Sequence, residues 1–134
     1  MPDVRARLER VKAIVHAWDA HVDGRTELFR LLDTFPVAAL VANNEGHYVF
    51  ANTAAAALSD YSIDELCHLA VHDLTPQVYQ QDAGQLWRAF IAAGRQSGQY
   101  ALLTKGGRIV RAEYSAQAHV LPGLHVSLLE RLRH

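Results

Sequence analysis

The sequence predicts an α+β domain: a five-stranded antiparallel sheet flanked by helices, with an N-terminal amphipathic helix in front of it. Three observations carry that expectation. Residues 31–52, LLDTFPVAALVANNEGHYVFAN, run from an apolar strand through a polar turn into a second strand and a helix-capping asparagine. The C-terminal part of the chain offers three further strands separated by glycine-bearing turns. Between these two blocks, helix-starting and helix-ending residues alternate.

Taken in order, the chain begins with Val4, Leu8, Val11, Val15, Trp18 and Val22 at spacings of four, three, four, three and four. That is the seam of a coiled coil, or of an amphipathic helix lying on a sheet. Ile14 widens the stripe, and Pro2 is tolerated in a first helical turn. An isolated helix of this length is marginal in water unless its stripe is covered. The favoured expectation is that the helix, besides covering the outer face of its sheet, also pairs with its copy in a homodimer through Val4, Leu8, Val11, Val15 and Trp18; the alternative is that it merely covers the sheet. Residues 1–25 are thus set apart as a dimerisation helix, and residues 26–134 as the domain. Asp23 and Gly24 end or kink the first helix, and Thr26 caps a second over residues 27–32.

Pro36 leads into an apolar run, residues 37–42, too short for an ordinary helix. Asn43, Asn44, Glu45 and Gly46 reverse the chain, residues 47–51 return as a strand, and Asn52 caps the alanine-rich segment after it. Ser62 with Glu65 three residues on forms a capping box for another short helix. Thr75 as cap and Pro76 at the first helical position open a long helix over residues 76–93, closed by Gly94. Tyr79, Ala83, Leu86, Trp87, Phe90 and Ile91 form its apolar face, and Gly84 within it suggests close backbone approach.

Three strands follow, over residues 99–104, 108–120 and 124–129, joined at Lys105-Gly106-Gly107 and Leu121-Pro122-Gly123. The middle one alternates, with Val110, Ala112, Tyr114, Ala116 and Ala118 on one face. Against a helix bearing Trp87 and Phe90, such small inward side chains either let the helix sit close or leave a cavity, and Tyr114 needs a buried partner or water.

The strand, turn, strand and capping asparagine resemble the opening of a PAS domain. The resemblance continues through DYSIDEL at residues 60–66 and LTKGGRIVRAEYSA at residues 103–116, and covers about three quarters of the chain. It implies a sensing and interaction module whose pocket lies between the long helix (Ala83, Leu86, Trp87, Phe90) and the inward strand face (Ala112, Tyr114, Ala116). A small, mostly apolar ligand is the occupant expected there, with ligand-free dimerisation as the alternative. Cys67, in ELCHLAV, lacks the Asn-Cys-Arg-Phe surroundings of the family's flavin-binding light sensors. The long helix carries no histidine at the position that holds haem in oxygen-sensing members. Haem and flavin are therefore disfavoured, with His72 the residual haem-ligand candidate from an earlier turn. Asp60 and His68 stand where the family commonly has glycine. Ser127, Leu128 and Leu129 replace the Asp-Ile-Thr that couples many members to an output helix, so output through a separate signalling protein is expected.

Thirteen basic against fourteen acidic residues give no electrostatic footprint for nucleic acid or an anionic membrane. One cysteine, a charged N-terminus and no long apolar run lead to the expectation of a cytoplasmic protein without an internal disulfide. His68 with His72, and His119 with His125, are weak candidate metal pairs that lack further ligands, so no metal is expected. The two strand histidines would face one another only across a three-residue loop. No nucleophile elbow, phosphate loop or zinc-protease motif occurs. The domain is expected not to be an enzyme; a small pocket enzyme of isomerase or hydratase type would need an inward carboxylate beside Tyr114.

Overall fold

The computed structural model describes residues 3–132, so Pro2 lies outside the described residues. Helix α1 spans Val4–His16, with the Asp3 carboxylate accepting the Ala6 N–H at 2.9 Å as its N-cap. The stripe predicted a helix continuing to residue 22, but the chain leaves it at His16. Asp19 Oδ1 accepts the His21 N–H at 2.8 Å, a local turn that competes with further helical bonds. Helix α2, Gly24–Asp33, is capped by Asp23 rather than Thr26. The Asp23 carboxylate takes both the Thr26 hydroxyl, at 2.8 Å, and the Thr26 N–H, at 3.4 Å, so Gly24 opens a helix instead of closing one.

Five strands form one antiparallel sheet: β1 Ala38–Ala42, β2 Tyr48–Ala51, β3 Arg95–Leu103, β4 Ile109–Leu121 and β5 Leu124–Arg131. Their order is β2-β1-β5-β4-β3, so the first and last strands pair at the centre. Strand β3 starts earlier than the sequence pattern suggested because Ser97 and Gln96 already pair with Ser115 and Ala116, and the two serine hydroxyls bond at 2.8 Å.

Both faces of the sheet centre are covered, which explains why residues 37–42 are continuously apolar rather than alternating. On the outer face, Val4, Leu8 and Val11 of α1 join Leu28 and Leu32 of α2 against Val37, Ala39, Val41, Val126 and Leu128. The first helix thus covers the outer face of its own sheet. Val4, Leu8 and Val11 are only 2%, 3% and 0% exposed within the single chain, so these three side chains are spent on their own sheet. Val15 and Trp18 remain half-buried at the edge of that cluster.

The inner face carries the short helices α3 (Thr53–Ser59) and α4 (Ile63–Leu66), a 3₁₀ turn at Val71–Leu74, α5 (Gln77–Gln80) and α6 (Ala83–Ala93). The single helix expected over residues 76–93 is therefore two, and Pro76 is the N-cap of α5. Val78 and Tyr79 are 74% and 53% exposed, so the first turn has little surface to bury. The Gln80 amide instead donates back to the carbonyls of Thr75 and His72, at 3.0 and 3.2 Å. Gly84 marks no close approach, since a Cβ there would meet only the flexible end of Arg88, at 3.5 Å.

Asn52 ties these layers together. Its Oδ1 accepts the N–H groups of Ala55 and Ala39, at 2.9 and 3.0 Å, which adds a strand contact to the expected helix cap. Its amide donates to the carbonyls of Val37 and Leu32 at 3.0 and 3.1 Å, and to Phe35 at 3.4 Å. One fully buried side chain thus joins the end of α2, the start of β1 and the start of α3.

Candidate functional site

Between α5, α6 and the inner sheet face lies a cavity of about 380 Å³. The question left open by the alanines of β4 resolves both ways. Phe90 packs directly on Ala116 and Ala118, while toward Tyr114 and Leu129 the small side chains leave open space. Ala83, Leu86, Trp87, Phe90, Tyr114 and Ala116 all line the cavity. Ala112 does not: it is fully buried in the inner core with Leu66, Leu74 and Leu102, so its place on the inward face is taken up by packing. Leu86, 55% exposed, stands at the mouth.

Sequence reasoning missed the walls supplied by other elements. Leu40, Tyr48, Thr75, Tyr100 and Leu129 come from β1, β2, the C-cap of the 3₁₀ turn, β3 and β5. Nothing local in the sequence says that Tyr48, Tyr100 and Tyr114 converge on one cavity. Burial pushes the Tyr48 hydroxyl well above its ordinary pKa, with Tyr100 and Asp73 adding to the effect, and burial also raises Tyr100 and Tyr114. All three are neutral phenols near neutral pH. The partner that Tyr114 required is the Gln96 carbonyl, at 3.4 Å. Glu45 is the one carboxylate among the described lining residues, and it is exposed.

Trp87 holds the helical wall to the sheet. Its Nε1–H donates to the Asn44 carbonyl at 2.9 Å, and its ring lies under the β1–β2 turn, where a Cβ on Gly46 would sit 3.6 Å from it. Gly46 adopts φ +80°, so the turn needs glycine for conformation as well. The Trp87 ring meets His125 edge-on, with centroids 5.5 Å apart.

His119 and His125 do lie together, their rings 4.4 Å apart, although the loop between β4 and β5 has only two residues. A bulge between Gln117 and Leu121, with His119 at φ +52°, supplies the displacement that register counting alone could not. Both nitrogens of His125 are already engaged. Nδ1 accepts the His119 N–H at 3.0 Å, so the ring proton sits on Nε2 and is donated to Asn44 Oδ1 at 2.9 Å. A proton on Nδ1 would break the first bond. Burial, and secondarily the neighbouring His119, accordingly lower the pKa of His125. The unfolded chain then binds a proton that the fold refuses, so stability is retained above pH ~6.5 and lost as pH falls from there through the lower folded value. Urea unfolding at pH 7.5 and 5.0 checks this: the loss on acidification is expected to be smaller in His125→Gln than in the unsubstituted protein.

The other candidates are dispersed. His68 lies in the turn after α4 and His72 in the 3₁₀ turn, His68 Nδ1 against the Asp64 carbonyl at 2.8 Å and His72 Nε2 3.5 Å from Asp73, so they share no helix face. His72 reaches the cavity only at an exposed rim. Cys67 is exposed, follows α4 and is absent from the cavity wall. Asp60 occupies a left-handed position, φ +65°, and its carboxylate receives Arg108 at 2.8 Å, which accounts for an aspartate where glycine is usual.

Comparison with known proteins agrees with this architecture. A family profile for the PAS fold matches residues 26–129. The chain belongs to the PAS family, a class of sensory and signalling domains. Its fold is similar to a domain of a sensory box sensor histidine kinase/response regulator from Geobacter sulfurreducens, with 21% identity, 80% of this chain and 94% of that one covered, and a TM-score of 0.64. It is also similar to a PAS domain from Desulfitobacterium hafniense, with 21% identity, 77% and 99% covered, and a TM-score of 0.67. A third similar structure is the PAS domain, in complex with ethanol, of a LuxR-family transcriptional regulator from Burkholderia thailandensis, with 16% identity, 83% and 98% covered, and a TM-score of 0.63. No curated protein sequence matches the chain.

Proposed function

We propose that this PAS domain senses a small, mostly apolar molecule held in the cavity between α6 and the inner sheet face. The observation that carries the reading is the cavity itself, about 380 Å³ with walls of Leu40, Trp87, Phe90, Tyr100 and Leu129, within the size range of small-molecule sites. A ligand-free dimerisation module calls for a filled interior at this place. The ethanol complex of the Burkholderia thailandensis neighbour supports small-molecule occupancy of such a domain.

Strands β4 and β5 separate the cavity from α1: Ser127 and Leu129 line the cavity, while Val126 and Leu128 meet the helix from the other side. Occupancy shifts these strands and with them the helix docked behind. The surface offered to a second copy or a separate signalling protein is the outward side of α1 with the half-buried Val15 and Trp18. The role is sensory rather than catalytic, since Tyr114 faces the Gln96 amide and not a carboxylate. Balanced charge and a single cysteine support a cytoplasmic setting. Among the described residues no helix is long and apolar enough to cross a membrane.

Ala116→Phe tests the cavity. Affinity for an apolar two-ring probe, 2-ethylnaphthalene, is expected to fall at least about tenfold, because the new ring occupies the space beside Phe90 that the probe needs. Undiminished binding in a folded variant places the ligand elsewhere. Native mass spectrometry of the protein as purified from cells reports subunit number and any retained molecule together.

A further inference from the structure

Four phenols line the cavity; Tyr79 is exposed at its edge, and the three buried or half-buried ones, Tyr48, Tyr100 and Tyr114, are not equivalent. Thr75 spends its one hydroxyl proton on the Val71 carbonyl, at 3.0 Å, so the 3.1 Å contact between Thr75 and Tyr100 is a bond that Tyr100 donates. Tyr114 donates to Gln96. Tyr48, 7% exposed and part of the cavity wall, has no hydroxyl partner among the described residues. Among the described residues the fully enclosed side-chain atoms without partners are Arg7 Nε and Gln117 Oε1, so the unpartnered Tyr48 oxygen keeps some accessible surface. A nine-tenths buried donor left open to a cavity is costly unless something in the cavity accepts from it.

On the reading of this cavity as a ligand site, we infer that Tyr48 is its polar anchor and that the ligand is a neutral aromatic carbonyl compound whose oxygen accepts the Tyr48 hydroxyl proton. Neutrality follows from the wall. It contains no lysine or arginine among the described residues and its one histidine, His72, is at the exposed rim, so a buried anion would lose its hydration without a counter-charge beside it. Its carboxylate, Glu45, is at the exposed rim and the phenols of Tyr48, Tyr100 and Tyr114 are held protonated, so a cation finds no buried partner either. Ring faces and edges of Trp87, Phe90, Tyr100 and Tyr114 favour a flat aromatic body. The volume is more than twice the roughly 150 Å³ that holds benzene in an engineered cavity, which suits about two fused rings.

Three probes of matched size separate the terms: 2-acetylnaphthalene, 2-ethylnaphthalene and 2-naphthoate, titrated against the full chain by nuclear magnetic resonance. The ketone is expected to bind about five- to tenfold more tightly than the ethyl compound, and the carboxylate more weakly than either. In Tyr48→Phe the ketone's advantage disappears while 2-ethylnaphthalene binds as before; in Tyr100→Phe the advantage persists. The infrared carbonyl stretch of 2-acetylnaphthalene bound to unsubstituted protein gives a readout independent of any variant's folding, and a shift to lower frequency than in hydrocarbon is expected. A preference retained in Tyr48→Phe, or an unshifted stretch, overturns the anchor and leaves the cavity reading standing. Naphthoate binding as tightly as the ketone overturns the neutral class. Binding of neither neutral probe overturns both the anchor and the cavity reading.

Discussion

Asn52→Ala is expected to destabilise the domain by about 4 kcal/mol, a large share of the roughly 5–15 kcal/mol available to a domain. Loss of the α3 cap accounts for about 1 kcal/mol. The remainder comes from the buried Ala39 N–H and the Leu32 and Val37 carbonyls, each left without its side-chain partner at about 1 kcal/mol or more. Asn52→Asp separates these contributions. Aspartate caps a helix as well as asparagine, so a residue that only capped would tolerate the change. Here the second oxygen would face the Leu32 and Val37 carbonyls in a fully buried site, so a loss of at least about 2 kcal/mol is expected. Urea unfolding of both variants measures the two values, and a near-neutral Asn52→Asp would reduce the residue to an N-cap.

Val11→Asp is expected to cost about 4 kcal/mol or more and to leave little folded protein. The side chain is fully buried among the outer-face residues of α2 and the sheet, and a carboxylate there is cut off from water. The same substitution distinguishes the two roles its periodicity allowed. A dimer seam would yield a folded monomer with an unchanged melting midpoint, read by light scattering and circular dichroism together. Val15→Asp, at a half-buried position near the helix end, serves as the contrast and should cost under about 1 kcal/mol.

These two residues mark the boundary between what was legible in the chain and what was not. Asn52 announced itself as a cap because the signal is local: an asparagine, an extended backbone and the N–H three residues on. The capping box of Ser62 and Glu65 was legible for the same reason, with bonds of 3.0 and 2.9 Å in both directions. That Asn52 also holds α2 and β1 was not, since those partners lie up to 20 positions away in sequence. Val11 shows the complementary limit. A heptad-like stripe states that a helix has one apolar face, and the same period serves a second copy and the chain's own sheet equally.

The site divides along the same line. That Ala83, Leu86, Trp87, Phe90, Tyr114 and Ala116 line one cavity was expected from the family resemblance, while Ala112 lies in the inner core because strand alternation gives direction but not what fills the space. Tyr48, Thr75 and Tyr100 were invisible because their convergence depends on β2, the 3₁₀ turn and β3 meeting at one cavity. The break at Gln81 and Asp82 and the bulge at His119 had no sequence marker: neither position carries a proline or glycine.

By itself the sequence determined the element types, the hairpin around Gly46, the caps at Asn52 and Ser62 and the inward face of β4, since turn chemistry, capping and side-chain period act over a few residues. Only the tertiary structure decided that α1 covers its own sheet, that the helix after Pro76 is divided, and that Tyr48 stands open to a cavity. Those outcomes depend on which distant surfaces compete for each apolar face and each hydrogen bond, and no local pattern encodes that competition.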